Sequence, residues 1–103
     1  HSNDIYEMDK KVDELESEIK TTKDKFAFTF QKIGFVKYDA FHDLKNKLSY
    51  TIALLDGFNN GLLLTTIYGR ESCITYAKEV KSGTVNQELS NEEIEALRMA
   101  LAK

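Results

Sequence analysis

The sequence predicts an α+β protein with a long N-terminal coiled-coil helix, a four-stranded antiparallel β-meander and a short C-terminal helix. Three observations carry that expectation. Apolar or β-branched residues recur every 3.5 positions through the first third of the chain, the period falls to two between Gly34 and Gly83, and a helix-capping pattern begins at Ser90. The organisation that follows is a helix over residues 1–33 and a small α+β domain over residues 34–103.

The helix is read from Ile5, Met8, Val12, Leu15, Ile19, Thr22, Phe26, Thr29 and Ile33, spaced alternately by three and four residues. With Ile5, Val12, Ile19, Phe26 and Ile33 at position a and Met8, Leu15, Thr22 and Thr29 at d, the seam favours two parallel strands. In that arrangement Lys11 meets Glu16 of the second chain and Glu18 meets Lys23, both attractively, while Asp4 against Asp9 repels at the fraying end. Each such exposed pair contributes only a few tenths of a kcal/mol, so the charges set orientation more than affinity. The expected partner is therefore a second copy of the chain, bound through Ile5, Met8, Val12, Leu15, Ile19 and Phe26. Phe26, Phe28 and Phe30 then enter on several helical faces, where the helix is expected to turn from its twin to its own globular part. Their alternation also fits a strand, but the helical period continues to Ile33, and Gly34 is the expected C-cap.

Beyond Gly34, the segments 35–41, 48–55, 62–68 and 73–80 read as strands joined by hairpin-sized loops, which makes a meander the economical topology. Tyr50 to Leu55 and Leu62 to Leu64 are apolar on both faces, so the middle of the sheet is expected to be covered on both sides. The long helix would be one cover and the C-terminal helix the other. That last helix starts with Ser90 as N-cap and Glu93 three residues on. Ile94, Leu97, Leu101 and Met99 supply its apolar stripe, and Glu92, Glu93 and Glu95 crowd its dipole-favoured first turn.

Composition narrows the function classes. The chain has 103 residues, a net charge of −3, 42% apolar residues and 30% charged ones, a globular balance. Residues 1–33 carry six Lys against eight acids, residues 34–87 six basic against five acidic, and residues 88–103 two against four. No segment has the basic excess that phosphate binding requires, so nucleic acid is not an expected partner. The single Cys73 precludes an intrachain disulfide and suits a reducing compartment; without a nearby His or second Cys it reads as a small core filler. No apolar run of about 18 residues is present. The opening His1-Ser2, without Met and directly ahead of the heptads, reads as a tag remnant and predicts a segment lost ahead of Asn3.

No catalytic, cofactor-binding or metal motif emerges, and the chain is not expected to be an enzyme. Asp56-Gly57-Phe58-Asn59-Asn60-Gly61 resembles the start of a calcium loop but offers Phe58 at the third position and Ile67 at the twelfth. A hairpin loop supplying positive-φ residues is the better reading. Asp39, His42 and Asp43 read as a surface cluster, since Asp39 and His42 would point to opposite faces of a strand. Ser72 has no plausible base, with His1 and His42 the only histidines. Tyr68, Arg70 and Glu71 form a turn able to contact an anion or a partner's carboxylate. This supports an alternative reading, a sensor that takes a small ligand or an extended peptide on its sheet.

The ordered run Ile33-Gly34-Phe35-Val36-Lys37-Tyr38-Asp39-Ala40-Phe41, Leu48 to Asp56, Asn59-Asn60-Gly61, Leu64 to Glu71 and Tyr76-Ala77-Lys78 resembles the bacterial family known as domain of unknown function 4446. The likeness runs from about Ile33 to the C-terminal helix, with a lysine-rich Leu44-Lys45-Asn46-Lys47 where glycines are usual. It implies a membrane-spanning segment followed by a coiled coil, and hence a membrane anchor ahead of Asn3. It supplies no activity, cofactor or catalytic residue. Lys10 and Lys11 mildly favour the cytoplasmic side for this part of a bacterial membrane protein. The expectation is thus a membrane-tethered, non-catalytic dimeric scaffold that engages a further protein.

Overall fold

Free of proline and glycine and rich in Lys and Glu, the first part of the chain forms one unbroken helix of 26 residues, α1 (Ser2–Ala27). A computed structural model describes residues 2–41 and 48–103. After α1 come β1 (Lys32–Tyr38), β2 (Ser49–Leu55), β3 (Gly61–Tyr68), β4 (Cys73–Val80) and α2 (Asn91–Leu101). The four strands pair antiparallel in the order β1-β2-β3-β4, the expected meander.

The helix ends six residues before the predicted Ile33, and Gly34 is a strand residue rather than its cap. The stop is made by groups that a glycine-based rule does not see. The Phe26 carbonyl accepts from the Thr29 N–H (2.9 Å), the Thr29 hydroxyl (2.6 Å) and the Gln31 side-chain amide (3.3 Å). The Ala27 carbonyl accepts from Gly57 N–H at 2.7 Å, in the β2–β3 turn. Side-chain and tertiary donors thus satisfy carbonyls that helix termination leaves orphaned. Phe28 is neither helix nor strand; its ring meets Phe58 at 5.1 Å.

Backbone bonds and an Asx turn shape the hairpin loops. Asp56 Oδ1 accepts from the N–H groups of Phe58 (2.8 Å) and Asn60 (3.0 Å), and Asn59 takes φ 63°. This is the hairpin loop expected over the calcium-like motif. The β3–β4 turn closes through Gly69 N–H to Ser72 C=O at 2.8 Å.

One face of the sheet is covered by α2 and by the segment leading into it. The core joins Ala53, Leu55, Leu63 and Val80 of the sheet to Ala96, Leu97 and Ala100 of α2, with Val36, Val85 and Leu89 packed against them. The helix approaches β1 closely because both sides are small: a Cβ on Gly34 would lie 1.9 Å from the Ala96 carbonyl oxygen and 2.9 Å from Ala100 N. The apolar stripe of α2 is accordingly rotated from the predicted one. Glu93, Ala96, Leu97 and Ala100 face inward, while Ile94, Met99 and Leu101 are partly exposed. Large residues were expected to mark the buried stripe, but close packing selects the alanines.

A polar network lies beneath the start of α2. The capping box forms as predicted, Ser90 Oγ accepting from Glu93 N–H and Glu93 Oε1 from Ser90 N–H at 2.9 Å. Glu93, only 1% exposed, also accepts from Lys78 Nζ at 2.9 Å and from the Thr65 hydroxyl at 3.1 Å, and Thr65 is bonded to Thr51. Burial pushes the Glu93 carboxyl up, but the Ser90 N–H, Lys78 and Thr65 outweigh it and hold it below its usual range.

The long helix does not cover the second face. No extended packing joins α1 to any strand, because a four-residue connector (28–31) fastened to the β2–β3 turn carries it off the end of the sheet. The molecule measures 78 × 27 × 21 Å. A helix of this length spans about 39 Å and an eight-residue strand about 26 Å, so the two add nearly end to end along the long axis.

Candidate functional site: a helix seam and an open sheet face

The 3.5-residue repeat places Ile5, Met8, Val12, Leu15, Ile19 and Phe26 on one stripe of α1, and all six are exposed, from 49% at Val12 to 67% at Met8. Among the described residues nothing in the chain packs along them. The structure therefore brings together the residues assigned from the sequence to a dimer seam, as one continuous ridge without an intrachain partner.

A second uncovered surface was not anticipated. Alternation along each strand sends every other side chain away from α2, and the pairing register aligns these in rows. The row nearest α1 holds Ile33, Leu54, Leu62 and Glu79; the next holds Phe35, Ile52, Leu64 and Ala77; the third holds Lys37, Tyr50, Thr66 and Thr75. Ile33 and Phe35 are 51% and 47% exposed, and Ile52, Leu54, Leu62 and Leu64 are half-buried, shielded by their neighbours within the sheet. Phe35 and Tyr50 pack ring to ring at 6.2 Å. Lys37 and Glu79, the only charged residues in these rows, occupy diagonally opposite corners. The doubly apolar middle strands did signal this surface; what the sequence misled on was its cover.

The other candidates lie away from these two surfaces or at their margins. Tyr68 closes β3 and Arg70 and Glu71 lie in the exposed β3–β4 turn, where Arg70 and Glu71 border two shallow depressions, one reaching Phe41 and the other Tyr68 and Cys73. Asp39 Oδ1 accepts from the Phe41 N–H at 3.2 Å, while His1, His42, Asp43 and the segment 44–47 lie outside the described residues. Cys73, expected in the core, is exposed at the start of edge strand β4. Among the described residues no group of three His, Cys, Asp or Glu is placed to hold a metal, and no helix is long and apolar enough to cross a membrane.

An elongated helix joined to a helix-backed meander is the class of protein these elements define. The chain belongs to the family described as "Protein of unknown function (DUF4446)", whose model matches residues 1–101. The match takes in α1 as well as the sheet domain, a wider span than the sequence resemblance from Ile33 onward. No curated protein and no solved structure matches the chain.

Proposed function

We propose that this protein is a non-catalytic interaction module that pairs with a second copy through α1, as a parallel coiled coil, and presents its sheet domain to a further protein. The observation that carries this reading is the seam from Ile5 to Phe26, whose apolar residues are 49% to 67% exposed and make no extended packing with the sheet. An isolated helix of this size is marginal in water unless its apolar face is buried, and a twin seam buries it in register. The attractive Lys11–Glu16 and Glu18–Lys23 pairings favour the parallel orientation. The resemblance to this family implies a membrane-spanning segment ahead of a coiled coil. On that ground the reading extends to a tether at the bacterial membrane, with this part on the cytoplasmic side.

Sedimentation at micromolar concentration tests the pairing. The chain is expected to run as a dimer, and the double variant Leu15→Glu/Ile19→Glu as a monomer that has lost much of the helicity of α1 while its sheet stays folded. A wild-type monomer with full helicity would refute the proposal.

A further inference from the structure

The coil alone is a short interface. Thr22 weakens the seam at a d position, and the helix ends one residue after Phe26, so few full heptads support the pairing. The apolar surface does not stop with the helix. Across the four-residue connector it resumes at Ile33 and continues through the first two rows of the open sheet face. The helix and the strands also follow one another along the molecule's long axis. Since α1 and the strands add nearly end to end in a 78 Å molecule, the two-fold axis of a parallel helix pair runs roughly along the strands. It brings two sheets side by side across that axis.

What each copy can turn toward the axis is then a choice between surfaces of different chemistry. The outer side of α2 carries Glu92, Glu95 and Arg98, the last two paired at 2.7 Å and well exposed. The open face is apolar at its centre and charged only at two corners. Resting on the helix pairing proposed above, we infer that the open sheet face is a homodimer interface. The same face of the second copy covers it, so that the coil runs into an aligned two-sheet sandwich with α2 on each outside.

The rows from Ile33 to Lys37 and from β1 to β4 span about 13 by 15 Å of sheet, an interface core of about 200 Å² per copy. That area is too small for a stable dimer alone, for which about 800 Å² per partner is usual. Added to the seam, it brings the pair toward that size. Two sheets packed in this way lie about 10 Å apart with their strands within about 30° of each other.

Two measurements on the full chain decide it. Phe35→Glu changes a half-exposed edge-strand residue and leaves the α2 side untouched, so its sheet domain should stay folded and its circular dichroism should match wild type at concentrations where both are dimeric; its dimer dissociation constant should rise at least tenfold. In parallel, the single Cys73 takes a nitroxide label with no other change to the sequence. In the sandwich, strand and sheet spacings put the two labels about 20 Å apart in a narrow distribution. A Phe35→Glu dimer of unchanged affinity would overturn the inference and assign the face to another occupant. So would a label distribution that is broad or centred beyond about 35 Å. Either outcome leaves the helix pairing standing if Leu15→Glu/Ile19→Glu still dissociates the chain. Dissociation by Phe35→Glu but not by the helix variant would refute the helix pairing and retain the face. A wild-type monomer removes both.

Discussion

Replacing Gly34 by alanine should cost about 3 kcal/mol or more and lower the melting temperature by about 15 °C, which differential scanning calorimetry would read. The methyl group would arrive 1.9 Å from the Ala96 carbonyl oxygen, a backbone atom with no rotamer to yield. The helix would have to lift from β1 by about 1 Å, enough to loosen every contact that Ala96 and Ala100 make with the sheet. A domain of this size has about 5–10 kcal/mol to lose, so the variant should still fold but with roughly a third to more than half of its margin gone. An unchanged melting temperature would mean that α2 does not sit as close to β1 as described.

Loss of the Glu93 carboxylate is the second large effect. Glu93→Ala removes the carboxylate that the Lys78 ammonium, the Ser90 N–H and the Thr65 hydroxyl share, leaving Lys78 the Glu88 carbonyl and Thr65 the Thr51 hydroxyl, at a cost of about 3 kcal/mol. Glu93→Gln keeps the shape and removes the charge, which isolates the electrostatic part. Because the folded carboxyl titrates below its ordinary value of 4.5, its stabilisation is fully present above that pH and is lost as pH falls through the lower folded value. Wild-type stability measured by urea unfolding should therefore decline more steeply below pH 4.5 than that of Glu93→Gln. Parallel pH profiles would show that the network contributes nothing through charge.

The extent to which the chain could be read in advance follows from which rules are local. Cys73–Val80 was placed to the residue and the other three strands to within three residues, because period-two alternation and hairpin-sized loops depend only on neighbours in sequence. The capping box at Ser90 was legible for the same reason. The end of α1 was not, since its last carbonyls are satisfied by Thr29, Gln31 and the distant Gly57. Gly34 reads as a cap in sequence because its reason for being glycine, the approach of α2, lies more than sixty residues away. Glu93 was recognised as a capping residue but not as a buried one. The register supplied a clue, for Thr51, Thr65 and Lys78 are polar residues on strand faces otherwise occupied by Ala53, Leu55, Leu63 and Val80. That Ile5 to Phe26 fall on one stripe of a helix was legible, but the same period ran on through Thr29 and Ile33, which the helix does not reach. The apolar character of the open face was legible as well, but the cover assigned to it was wrong, because periodicity shows that a face is apolar and not how a four-residue connector aims a helix.

The fastening of α1 to the β2–β3 turn has a mechanical consequence. A tug on the far end of the rod enters the body lengthwise, parallel to the strands and across their ladder bonds, which lie perpendicular to that direction. Such a load is shared by the whole β1–β2 ladder in shear and does not peel its bonds one by one. In an optical trap, the body pulled through α1 should give way at a higher force than when pulled apart across the sheet from β1 to β4.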